Sequence, residues 1–181
     1  MTPTRYAVVS YIQDAVGEFV REMRDTLHPQ LRHSAAHVSI LPPRCLSADE
    51  AVLLRQFESL CAREAAFSVQ LGEIDTFEPV TPTVFLKVVA GADRMRLLHD
   101  HFNAGELGGP EDWPYVPHMT ILKTMTFEEV AAARSTAEAQ WATFGGSRVG
   151  WVRSLTFVRE GADQTWVDLA TARLEGGDSA A

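Results

Sequence analysis

The chain is short of several things, and each shortage narrows what it can do. Only two cysteines occur in 181 residues, Cys45 and Cys61. They make neither a CxxC pair nor a metal-ligand spacing, which sets aside a disulfide scaffold and a zinc ribbon. No apolar run approaches the roughly 20 residues that a membrane helix needs, so no membrane contact is expected. Residues 1–5 lead straight into a strand-like segment; no secretory leader is expected, and free thiols point to the cytoplasm. Basic residues are scarce as well: 16 Lys and Arg stand against 24 Asp and Glu, a formal net charge of −8. A long nucleic-acid track needs a broad basic surface. A small anion or the end of an RNA needs only a local cationic cleft.

What is present is ordinary in bulk and unusual in one pattern. Hydrophobic residues make up 46% and charged residues 22%, as in a soluble globular protein of one domain, or of two small lobes sharing a core. A monomer is expected. The stretch 116–123 reads VPHMTILK. Apolar residues at 119 and 121 alternate with polar ones at 118 and 120, the period-2 signature of a strand with one buried face. His118 and Thr120 then share one face, and Met119 and Ile121 enter the core. The pattern recurs at His37-Val38-Ser39-Ile40. Of six histidines only these two sit in it.

In chain order, residues 5–12 read as a strand. Asp14 is placed to cap a helix running to about Leu27, with Val16, Phe19, Val20, Met23 and Leu27 on one stripe. The His37 strand follows and is expected to stop at Pro42-Pro43. Ser47 and Glu50 fit a capping box opening a helix to about Arg63. Residues 67–74 read as a strand. The second half repeats this order: strand 83–89, helix 92–103 with Met95, Leu98 and Phe102 inward, then a Gly- and Pro-rich loop, 104–114. That loop is expected to border the cleft and to carry little regular structure. The His118 strand comes next, then a capping box at Thr126–Glu129 opening a helix to about Trp141. Residues 148–158 and 165–170 are expected to form two strands paired as a hairpin.

The spacings of the halves agree. Arg5 to His37 is 32 residues and Thr83 to His118 is 35; His37 to Phe67 and His118 to Arg148 are both 30. The chain therefore reads as an α+β fold of two duplicated strand-helix-strand-helix-strand units, with predominantly antiparallel sheets facing a central cleft. Lobe one spans about 1–80 and lobe two about 81–181, with room for strands to exchange between them.

Two H-x-[S/T]-hydrophobic motifs on duplicated units, AHVSILPPR at 36–44 and YVPHMTILK at 115–123, resemble the 2H phosphoesterase superfamily, and within it the bacterial 2′-5′ RNA ligase-like branch. The resemblance covers nearly the whole chain. It implies metal-independent action, with no cofactor, on 2′,3′-cyclic or related nucleotide phosphates, or on 2′-5′ linkages. Carried over by position, His37 and His118 are the acid/base pair, and Ser39 and Thr120 bind phosphate. Many members have arginine five residues after the second histidine; here stands Lys123, a point charge without bidentate geometry. Strict alternation turns Lys123 away from the cleft unless the strand bulges.

The chemistry is consistent without the family. Imidazole, with an ordinary pKa near about 6.5, can take and give protons around neutrality. Hydroxyls two residues on can donate to phosphate oxygens, and Lys123 or Arg44 can neutralise charge. Trp113 and Tyr115 are candidates to stack a nucleobase, while Phe77 and Phe85 read as core. His99 and His101, two apart on a helix, point to different faces and read as surface or packing residues. His28 and His33 read as solvated or capping groups, with His33 near enough in sequence to reach the cleft rim. A small cyclic nucleotide or an RNA end is the expected substrate. The competing readings are a non-catalytic RNA- or nucleotide-binding module and a metal-dependent hydrolase. Binding alone does not need both imidazoles, and neither motif carries a carboxylate at ligand spacing.

Overall fold

The computed structural model describes residues 4–27, 35–124, 126–161 and 165–176. His28 and His33 lie outside them. The alternating segments form strands, and the segments with a 3.6-residue stripe form helices. The order is β1 (Arg5–Tyr11), α1 (Ala15–Leu27), β2 (His37–Cys45), α2 (Glu50–Cys61), β3 (Phe67–Thr76) and β4 (Thr83–Ala90). Then come α3 (Ala92–Phe102), β5 (His118–Lys123), α4 (Val130–Ala142), β6 (Val149–Val152), β7 (Ser154–Glu160) and β8 (Trp166–Arg173). The strands make two four-stranded antiparallel sheets, β2-β1-β7-β8 and β5-β4-β3-β6.

The sheets do not follow the chain's halves. β3 pairs in the second sheet, and β7 and β8 pair in the first. The helices cross over too: α1 packs against β5 and β6, and α3 against β2. One core joins both sheets, including Val38, Ile40, Phe57, Leu86, Met95, Met119 and Phe157. Val38 and Met119 are fully buried, so the strand faces are those that the alternation implied. Gly17 lets α1 approach the end of β1, since a Cβ there would lie 1.9 Å from the Ile12 carbonyl oxygen.

Several local expectations change. β2 runs through Pro42-Pro43 to Cys45. It is a sheet-edge strand, where a missing N–H breaks no ladder. Helix α2 starts at Glu50 with Asp49 at the N-cap and ends at Cys61, so the Ser47 capping box does not form. The box at Thr126 and Glu129 does form, opening a 3-10 turn that leads into α4. Asp14 directs its carboxylate elsewhere, accepting from the Trp151 N–H (2.7 Å) and the Arg153 guanidinium (2.9 Å). The expected strand 148–158 is two strands in different sheets, divided at Arg153. Its core residues change parity there, from Val152 to Leu155 and Phe157. Loop 104–114 is tied down by side chains. Leu107 is fully buried, Gln56 bonds both Ala104 and Glu106, and Asn103 accepts from the Gly109 N–H.

Candidate active site

The two histidine strands are built alike to the residue. Tyr11 faces His37 and Val9 faces Ser39 across β1–β2; Lys87 faces His118 and Phe85 faces Thr120 across β4–β5. Each pair then slips by one residue directly after the hydroxyl, so that Val8 meets Leu41 and Val84 meets Leu122. The extra residues are Ile40 and Ile121. Such a bulge puts two consecutive residues on one side, and Ile40, Leu41, Ile121 and Leu122 are all buried. On β5 the slip returns Lys123 to the histidine face, opposite Thr83, which is two residues before Phe85. Lys123 is exposed there.

The imidazoles are held the same way. His37 Nδ1 bonds the Ala35 carbonyl at 2.9 Å and His118 Nδ1 bonds the Val116 carbonyl at 2.7 Å. A carbonyl only accepts, so Nδ1 carries the proton and Nε2 of the neutral ring carries the lone pair. Both rings are half-buried, as are Ser39 and Thr120. β2 and β5 lie beside each other, close enough for charge on His118 to act on His37. Burial depresses His37 to about 4, and positive charge on Arg24 and on His118 pushes the same way, against the Ala35 bond. Burial also lowers His118, opposed by the Val116 carbonyl.

The surroundings differ. His37 meets the Tyr11 ring edge-on at 6.3 Å between centroids. Arg24, buried on α1, donates to the same Ala35 carbonyl at 3.1 Å. His118 lies edge-on to Phe77 (4.9 Å) and Phe85 (5.2 Å), which stack on each other. Lys87 beside it is bound by Glu73 and Asp75. Phe85 is buried, as read, but on the face away from the main core, and Phe77 is half-buried against His118.

Three residues expected at the site do other work or stand apart. Arg44 is opposite Tyr6, whose ring stacks on core Phe157. It pairs with Glu111 and bonds Asn103 and the Pro42 carbonyl, so its guanidinium is engaged by protein partners. Tyr115 stacks flat on His99 at 4.1 Å and donates to the Ser39 carbonyl at 2.6 Å; its ring braces β2 rather than offering a base platform. Trp113 is 64% exposed in the loop before β5. His99 is buried, bonding the Ile40 carbonyl and Glu111, while His101 is exposed and pairs with Glu64. Sequence reading missed Tyr11 and Arg24. Tyr11 was in reach, because alternation along β1 and its register with β2 put it beside His37. Nothing in the sequence marks Arg24. Among the described residues no three His, Cys, Asp or Glu side chains converge to hold a metal ion, and no helix is long and apolar enough to cross a membrane.

The comparisons with known proteins bear on the fold and the family. The fold matches Escherichia coli LigT complexed with 3′-AMP at a TM-score of 0.64 and 14% identity, covering 96% of this chain and 99% of that one. It matches TT0787 of Thermus thermophilus at 0.65 and 19% identity, with the same coverages. In sequence, OB1230 of Oceanobacillus iheyensis, provisionally named a phosphoesterase, is 26% identical over 128 residues, 69% of this chain and 74% of that protein. The family model described as the 2′-5′ RNA ligase superfamily matches residues 12–164, and the chain belongs to that superfamily.

Proposed function

We propose that the chain is a metal-independent phosphoesterase that opens 2′,3′-cyclic phosphates on small nucleotides or RNA ends. The observation that carries this is the matched pair of imidazoles. Each is fixed through Nδ1 to the carbonyl two residues back, each has a hydroxyl two residues on, and they sit on adjoining strands. One Nε2 takes the proton of the attacking water as its oxygen bonds to phosphorus. The other, as imidazolium, gives a proton to the ribose oxygen as the P–O bond breaks. Ser39 and Thr120 donate to the non-bridging oxygens, whose charge grows in the transition state, and Lys123 supplies a cation. With a ribose 5′-hydroxyl in place of water, the same two proton transfers join RNA ends through a 2′-5′ linkage.

The test is incubation with 2′,3′-cyclic nucleotides and cyclic-phosphate-ended RNA in EDTA, with the product isomer identified. Hydrolysis to the 2′-phosphate is expected. His37→Ala and His118→Ala should each lower turnover by about 10²- to 10⁴-fold, and the double variant should lose less than the product of the two. Near-parental turnover in either single variant would refute the paired mechanism. Activity that EDTA abolishes and a divalent cation restores would refute metal independence.

A further inference from the structure

A cavity of about 950 Å³ opens on the His37 face of the first sheet, lined by His37, Ser39, Tyr11, Val158, Trp166 and Asp168 among others. That is the size of a small-molecule pocket, larger than a cyclic phosphate alone requires. Its floor is apolar. Ala7, Val9 and Val158 form a small cluster separate from the main core, with Tyr11 packed on it.

Tyr11 is not a loose ring. Its hydroxyl donates to Asp168 Oδ1 at 2.6 Å. Asp168 is on β8 and Tyr11 on β1, with β7 between them, a span of roughly 10 Å at the usual strand spacing. The ring therefore reaches along the sheet from His37 toward β8, pinned at its far end. Burial and the Asp168 bond raise the phenol above its ordinary pKa, so it stays a donor. At the cavity's other margin Trp166 is 38% exposed on the edge strand β8. The His118 side differs at the matching position, where Lys87 is tied by Glu73 at 2.9 Å and Asp75 at 2.8 Å. Both imidazoles have aromatic neighbours, but those of His118, Phe77 and Phe85, stack on each other, whereas Tyr11 and Trp166 line the open cavity beside His37.

We propose that the cavity beside His37 is a nucleobase site, with Tyr11 as its pinned floor and Trp166 as its exposed stacking surface. This rests on the cyclic-phosphate reading for what lies next to it, since a phosphate at Ser39 and His37 places the attached nucleoside within reach of the cavity. Every base has a π-face, so stacking of this kind tolerates purines and pyrimidines alike.

The experiment compares calorimetric binding of adenosine 2′-phosphate with binding of methyl riboside 2-phosphate, the same anion without a base. The parent should bind the nucleotide about 5- to 150-fold more tightly, the worth of one stacked base. Trp166→Ala should remove at least fivefold of that preference and leave the baseless ligand unmoved, and Trp166→Phe should recover most of it. Tyr11→Ala should act the same way provided its circular dichroism matches the parent. Trp166 is a surface residue, so its variant tests the site even if Tyr11→Ala does not fold. Equal binding of the two ligands, including no binding of either, overturns the proposal, as does a Trp166→Ala effect of the same size on both. Base-dependent binding with no opening of any cyclic nucleotide keeps this site and sinks the phosphoesterase reading instead.

Discussion

At the scale of single residues, what a histidine can do is decided by what its Nδ1 finds and by how dry its ring is. Both carbonyl bonds leave the lone pair of the neutral ring on Nε2, and burial lowers the pKa of both rings. The proposed mechanism needs one neutral and one protonated ring, so kcat/KM should peak on the acid side of the ordinary imidazole value of about 6.5. It should rise as His37 loses its proton near about 4 and fall as His118, also depressed, loses its own. A kcat/KM profile still flat at pH 8 would contradict this assignment. A bound phosphate favours the imidazolium and should move the kcat limbs upward. The same depression affects folding: the unfolded chain binds the proton more readily, so the His37 contribution to stability is lost as pH falls from about 6.5 through about 4. That His37 shares a strand face with Ser39, and His118 with Thr120, was legible because local alternation sets it. The roles of Arg44 and Tyr115 were not, because they depend on Glu111 and His99, side chains distant in sequence or on another element.

At the scale of the element, the bulge decides which residues share the histidine face. Strict alternation puts Lys123 on the core side, and the extra Ile121 returns it to the histidine face. The signal was present but unread: an Ile-Leu pair follows the hydroxyl in both motifs, at 40–41 and 121–122. Two successive large apolar residues in an otherwise alternating strand mark a place where both must be buried. The equivalent place on β2 is taken by Pro42-Pro43, so Lys123 has no counterpart on that strand. Lys123→Ala should lower kcat/KM by roughly tenfold, the lower range for a charged hydrogen bond because the group is exposed. Lys123→Arg should recover most of that loss. The check is kcat/KM at two salt concentrations, since the cation's contribution should shrink as salt rises; an unchanged value for Lys123→Ala at low salt would remove it from the site.

At the scale of the molecule, the duplication visible in the sequence does not produce two separable halves. Pairing partners were illegible because they depend on register between distant strands, and the slip in parity at Arg153 was the one local sign that the chain changes sheets. The first sheet needs β7 and β8 from the second half, β3 leaves the first half for the second sheet, and α1 and α3 each pack on the opposite sheet. Fragments 1–80 and 81–181 would each expose core that the other covers. Each should be unfolded alone by circular dichroism and amide exchange, while the intact chain should unfold in one transition, coincident by tryptophan fluorescence and far-UV circular dichroism. A fragment folded on its own, or two resolved transitions, would show that the shared core is not what holds the sheets together. Activity sharpens the point, since the proposed pair, His37 and His118, comes from different halves, on strands β2 and β5 that lie beside each other. Turnover on mixing the fragments should therefore appear only together with recovered strand signal, and at a rate set by reassembly of the sheets rather than by diffusion of two finished lobes.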